Sequence, residues 1–126
     1  MTEEERQEQL RLHIVDLYNE VKTIIVTVHN CAKKFGQQGW DEDAAGTTAE
    51  TALAELETPH SQVLEDHLNA LREILKSAAD VLCVYQDRTD QMPGRGGMSG
   101  IFVRSGISRA NMILQRTEDV NSEGAS

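Results

Sequence analysis

Leu10-Arg11-Leu12-His13-Ile14-Val15-Asp16-Leu17-Tyr18-Asn19-Glu20-Val21-Lys22-Thr23-Ile24-Ile25-Val26-Thr27-Val28-His29-Asn30-Cys31-Ala32-Lys33-Lys34-Phe35 is the stretch that decides the fold. Leu10, Ile14, Leu17, Val21, Ile24, Val28, Cys31 and Phe35 follow one another in alternating steps of four and three. That rhythm places all of them on one face of an α-helix. It also suits near-parallel packing against a second helix, with side chains of one set between those of the other. Val15, Tyr18, Ile25 and Ala32 form a partial stripe beside the first, as expected of a helix touching two neighbours. The spacing predicts a helix from about residue 4 to residue 35. Gly36 is placed to end it, because glycine accepts the left-handed turn just past a helix terminus.

The same rhythm returns downstream at Leu64, Leu68, Leu71, Leu75, Ala78, Leu82 and Tyr85, widened by Ile74, Val81 and Val84. Pro59 suits the first position of this second long helix, with Thr58 as its N-cap. The pattern fades over residues 87–90. A shorter third helix is expected over 101–117, with Val103, Ile107, Ala110 and Leu114 on one side and Phe102 and Ile113 beside them. Gly106 weakens that helix by about 1 kcal/mol relative to alanine. A short strand over residues 100–104 is the alternative. Residues 36–58 read as a flexible acidic connection, with a short helix from 49 to 56 anchored only by Leu53 and Leu56. Trp40, alone in that connection, either folds back on the core or anchors a partner. Residues 91–100 hold one proline and four glycines and read as a Gly-rich loop that ends the second helix. The first three residues and the tail 118–126 are expected to be loose, the tail disordered. The expected architecture is all-α and bundle-like: a single domain over 1–126, built as a helical hairpin of two long antiparallel helices plus a shorter third helix.

Composition narrows the function classes. The formal net charge is −9, whereas nucleic acid requires a concentrated basic surface. Direct nucleic-acid binding is therefore not expected, and anionic membranes are disfavoured for the same reason. No apolar run approaches the roughly 20 residues that span a bilayer, so no membrane insertion is expected. The acidic start Thr2-Glu3-Glu4-Glu5 is unlike a secretory signal. A cytoplasmic or nuclear location follows as the expectation, with Cys31 and Cys83 as reduced thiols inside apolar stripes.

No constellation of catalytic type emerges. Gly94 to Gly100 is glycine-rich, but a phosphate loop needs a preceding strand and a lysine before serine or threonine. His13, His29, His60 and His67 never show the four-residue spacing that aims two imidazoles at one metal. His67 as a phosphoacceptor has no support around it. Glu3-Glu4-Glu5, Asp41-Glu42-Asp43 and Glu65-Asp66 read as solvated runs rather than an acid–base pair. No catalysis, metal or cofactor is expected.

Three segments carry a resemblance: residues 21–35; Leu64-Glu65 continuing through 76–85; and Phe102-Val103 with 111–115. Together they cover about half the chain, and they resemble the focal-adhesion-targeting-homology domain of the cerebral cavernous malformation 3 (programmed cell death 10) adaptor family. The chain departs from the family pattern. The family's additional helix and dimerisation region before the first segment are not seen, and the connection from Phe35 to Leu64 is longer. The resemblance implies a scaffold that takes short amphipathic helices, leucine-aspartate motifs among them, in a lysine-lined groove between two helices. Lys22 and Lys76 fall on two matching lysine positions, Cys83 replaces a third, and Ala79 replaces a serine.

Independently of that resemblance, a groove between two helices is a receptor for an amphipathic helix. Lys22 and Lys76 each stand beside an apolar stripe, where their stems can pack. The candidate partner-binding residues are Tyr18, Lys22 and Ile25 on the first helix and Lys76, Ala79 and Cys83 on the second. The expected function is a non-catalytic protein–protein interaction module, an adaptor or scaffold, as a homo- or hetero-oligomer or free. The alternative is a small obligate subunit of a large helical assembly of Mediator-type transcription, tethering or cytoskeletal kind.

Overall fold

A computed structural model gives the fold and describes residues 2–125, with side chains from 2 to 118. The chain is all-α and bundle-like. Its elements are α1 (Glu3–Phe35), α2 (Glu42–Ala54), α3 (Ser61–Asp90), a 3-10 turn at Pro93–Gly96, and α4 (Gly97–Ala125). Among the described residues there are four α-helices, and α2 is longer than the short helix expected over 49–56 in the connection.

α1 begins with a threonine N-cap. Thr2 accepts a hydrogen bond from the Glu5 amide at 3.1 Å and its hydroxyl meets the Glu5 carboxylate at 3.2 Å. Glu3, Glu4 and Glu5 fill the first turn and Lys33 and Lys34 the last, which suits the helix dipole at both ends. Thr2 and Glu3 are therefore the cap and first residue of a helix, not loose, while Met1 lies outside the described residues. Gly36 ends the helix at φ 98°, as its position predicts. Seven residues of the stripe, Leu10 through Cys31, are buried, and Phe35 packs on the edge of the core.

The second stripe is buried along its whole length, from Leu64 to Tyr85. The two stripes meet, but α1 and α3 run parallel. Ser61 meets Glu3 and Arg6 meets Glu65 at one end, while Arg88 reaches the Phe35 carbonyl at the other. The antiparallel long pair is α3 with α4: Arg104 meets Asp90 at 3.4 Å, and Arg72 reaches the Leu114 carbonyl at 3.1 Å. The expected antiparallel hairpin of the first two stripes fails because residues 36–60 do not form a simple turn. They travel back along the length of α1.

The return is made by α2 and the turns after it. Asp41 caps α2 by accepting from the Ala44 amide at 2.9 Å, and Glu42 and Asp43 occupy the first turn. The acidic run that resembles a solvated loop is thus a helix N-terminus, where carboxylates are stabilised. Ala45, Ala49 and Ala52 form its buried stripe. The flexible connection expected over 36–58 is corrected accordingly, as is the short helix expected over 49–56. Beyond α2 the backbone is tied to α1. Arg11 donates to the carbonyls of Leu56 and Thr58 at 3.0 and 3.2 Å, and Gln7 donates to Pro59 at 2.7 Å. With those carbonyls engaged, α3 starts at Ser61 instead of Pro59, and the Thr58 hydroxyl accepts from the His60 amide, at 3.3 Å, without capping the helix.

The Gly-rich loop contracts to a tight turn. Gly94, Arg95, Gly96 and Gly97 all have positive φ, and the extended strand alternative over 100–104 is replaced by helix from Gly97. α4 is longer than expected because Gly100 fits under the turn. A Cβ there would stand 2.0 Å from the Arg95 carbonyl oxygen. Val103, Ala110 and Ile113 are buried on α4, with Ile107 and Leu114 at the margin and Phe102 exposed. The backbone of α4 runs to Ala125. The disordered tail expected over 118–126 falls mainly on side chains 119–125 and on Ser126, outside what is described.

Four helices close the bundle as a parallel central pair, α1 and α3, with α2 against one side and α4 against the other. Among the described residues, no helix is long and apolar enough to cross a membrane.

Candidate helix-binding groove

The open feature of this fold is the seam between the C-terminal half of α1 and the N-terminal half of α4. α4 lies against the central pair through Val103, Ala110 and Ile113, and comes close at Gly106. A Cβ at Gly106 would sit 3.0 Å from Leu82 Cδ1 of α3 and 3.7 Å from Thr27 Cγ2 of α1. Close approach at that point leaves the outward edges of α1 and α4 splayed above it. The result is a groove of about 830 Å³.

Its floor is Ile24, Cys31, Phe35 and Gly106, and its walls are Thr23, Val26 and Thr27 from α1 and Met98, Phe102 and Ser105 from α4. Val26, Phe102 and Met98 are 58%, 58% and 63% exposed, a concentration of large apolar surface on facing helices. Thr23 and Thr27 donate their hydroxyls back to the carbonyls of Asn19 and Thr23 at 3.1 and 3.3 Å. These hydroxyls are therefore satisfied within α1 and do not polarise the wall. At one end Lys34 donates to the Ser99 hydroxyl at 2.9 Å and stands 5.5 Å from the Phe35 ring centre. At the other end Arg109 pairs with Glu20 at 3.2 Å. Burial pushes the Cys31 thiol above its ordinary range, so in the groove floor it behaves as a small hydrophobe.

The six residues expected to bind a partner are not brought together. Tyr18 and Lys22 meet on one side of α1, where both hold Glu50 of α2, at 2.8 and 3.0 Å. The hydrogen bonds from Tyr18 and then Lys22 hold the Glu50 carboxyl below its usual range. Bonding to Glu50 in turn raises both Tyr18 and Lys22. Ile25 is half-buried against the core. On α3, Ala79 is buried at 8% exposure, whereas Lys76 is exposed and pairs with Glu73 of its own helix at 3.2 Å. Cys83 is exposed instead of lying in the apolar stripe; only Cys31 does. The cleft between α1 and α3 that these positions were to line is covered by α2 and α4.

α2 is held there by polar contacts at both ends and in the middle. His29 of α1 meets Glu42 at 2.9 Å, and His67 of α3 meets Glu55, just past the helix, at 2.7 Å. Trp40 packs on the core margin and donates its indole N–H to the Ser77 hydroxyl at 2.9 Å. Of its two possible placements, it takes the one on the chain's own core.

Sequence reading missed Val26, Met98 and Phe102 because it followed the inward stripes. The outward signal was present in the charges: residues 21–35 and 97–117 contain no aspartate or glutamate. Arg72 was also missed. It is buried between α3 and α4 with its Nε unpaired among the described residues, a polar group where a stripe reading expects none. No family model matches the chain, and no curated protein or solved structure matches it.

Proposed function

We propose that this chain is a non-catalytic protein–protein interaction module, an adaptor or scaffold, that receives an amphipathic helix of a partner in the groove between α1 and α4. The observation that carries this reading is the facing exposure of Val26, Met98 and Phe102 over an apolar floor. A helix laid between two helices buries such a surface through side chains at i, i+3, i+4 and i+7. This groove is preferred to the lysine-lined one implied by the family resemblance, since Tyr18 and Lys22 already hold Glu50 of α2. The same reading places the protein in the cytoplasm or nucleus, where its two free cysteines stay reduced.

The test is to immobilise the full chain and compare the proteins it retains with those retained by Phe102→Asp and Val26→Asp. Both residues are exposed, so helix content and melting should be unchanged while specific partners are lost. Retention of the same partners by both variants removes the groove from consideration. A second reading, a small obligate subunit of a large helical assembly, is favoured by Leu12, Ile101 and Met112, which are exposed outside the groove. On that reading the isolated chain self-associates or melts without a cooperative transition, and it gains both solubility and stability only with its partner.

A further inference from the structure

The charges of this chain are segregated. Residues 21–35 and 97–117, which supply most of the α1/α4 groove, carry Lys22, Lys33, Lys34, Arg104, Arg109 and Arg116, half of the 12 lysines and arginines. They carry none of the 21 aspartates and glutamates. In a protein of net charge −9, these two helical stretches are basic. Lys22, Lys34 and Arg109 line the groove; Glu50 of α2 holds Lys22 and Glu20 holds Arg109, so Lys34 is the lining cation that meets no carboxylate among the described residues. Lys34 meets only a hydroxyl, that of Ser99, among the described residues.

Resting on the helix-binding reading above, we infer that the groove's occupant is an amphipathic helix whose apolar stripe is flanked by acidic side chains. Three observations support this choice. The groove keeps one cation that no carboxylate holds, Lys34, while the rest of the chain is strongly acidic, so a basic helix would be repelled from the groove and attracted elsewhere on the chain. The site is a concave trough between two helices, which fits a rod of helix diameter better than a flat bilayer. And α1 already carries an acidic helix on its other side. α2 lies there with Glu50 on Lys22 and Tyr18 and Glu42 on His29, and it has no basic residue in its last turn. α2 is thus an internal example of the chemistry that this helix accepts. It leaves room for a tighter ligand, because its own buried stripe is only alanine.

The experiment uses the full chain and two labelled synthetic helical peptides with one leucine stripe at i, i+3, i+4 and i+7. One peptide bears glutamate at the flanking positions and the other bears lysine. Binding is read by fluorescence anisotropy. The glutamate peptide should bind about ten-fold more tightly at low salt, the equivalent of two or three exposed ion pairs. The gap should narrow as ionic strength rises. Phe102→Asp should weaken both peptides, and Lys34→Glu with Arg109→Glu should invert the preference while circular dichroism shows the fold intact. Equal affinity for the two peptides overturns the acidic assignment and leaves the groove standing. Binding of neither peptide to the folded chain overturns the groove as well. Stronger binding to phosphatidylserine vesicles than to the glutamate peptide overturns the assignment in favour of a membrane surface. A chain dimer that Phe102→Asp converts to monomer overturns it in favour of a second copy.

Discussion

The central pair of α1 and α3 is flanked by two helices that hold on in opposite ways. On one side α4 buries Val103, Ala110 and Ile113 and closes on α3 at Gly106. On the other side α2 buries Ala45, Ala49 and Ala52 and is held by Glu42, Glu50 and, just beyond it, Glu55. Burial of large apolar side chains is worth far more than exposed ion pairs. The α4 side therefore belongs to the cooperative core. The α2 side should open locally, at lower free energy than global unfolding. The difference teaches that being helical and being anchored are separate properties: alanine gives α2 its helicity but little grip.

Substitutions test that contrast. Ile113→Ala on the α4 side should cost about 3 kcal/mol, read as a shift of the urea midpoint for the whole molecule; an effect confined to α4 would place α4 outside the core. Gly100→Ala comes next, at about 2 kcal/mol from overpacking, because its Cβ would collide with the Arg95 carbonyl. A neutral result would show that the turn at 93–97 gives way freely. Ala49→Gly in the middle of α2 should cost about 1 kcal/mol of helix propensity. It should appear as faster amide exchange within α2 and stronger acrylamide quenching of Trp40, with the global midpoint nearly unmoved. A matching global shift would make α2 part of the cooperative unit.

The smallest effect is in pH. Glu50 has its carboxyl lowered by Tyr18 and Lys22, so its contribution is present above the unfolded carboxylate range, about 4.3, and is lost as pH falls through the lower folded value. Tyr18 is raised by Glu50, so its contribution is present below about 10 and is lost as pH rises through the higher folded value. Glu50→Gln should therefore flatten both the acid and the alkaline rise in Trp40 quenching. If the two limbs persist in the variant, this cluster does not hold α2.

Much of the fold was legible because large apolar residues at helical spacing admit one arrangement. Leu10 to Cys31 and Leu64 to Tyr85 are buried as their spacing requires. Direction was not legible, since a seam of fours and threes packs equally well parallel or antiparallel. It was decided by the route between the seams, where Arg11 and Gln7 capture the carbonyls of Leu56, Thr58 and Pro59. α2 was hidden because alanine scarcely marks a face and because Asp41-Glu42-Asp43 serves equally as a loop or as a capped helix start. The six candidate positions were read as one cleft for a related reason. Tyr18, Lys22, Ile25, Lys76, Ala79 and Cys83 were placed on a cleft that the chain fills itself. The face left open, with Val26 and Phe102, could have been found from the absence of carboxylates over 21–35 and 97–117.

The parallel alignment of α1 with α3 also bears on how the molecule assembles. Their contacts join residues 53 and 58 positions apart, whereas α3 meets α4 across as few as 14. Distant contacts carry a larger chain-closure entropy and slow the search. The α1–α2 pair is as local, joined across 13 positions at His29 and Glu42. Two hairpins, α1 with α2 and α3 with α4, can thus form early, and the long parallel seam of α1 on α3 is the join that comes last.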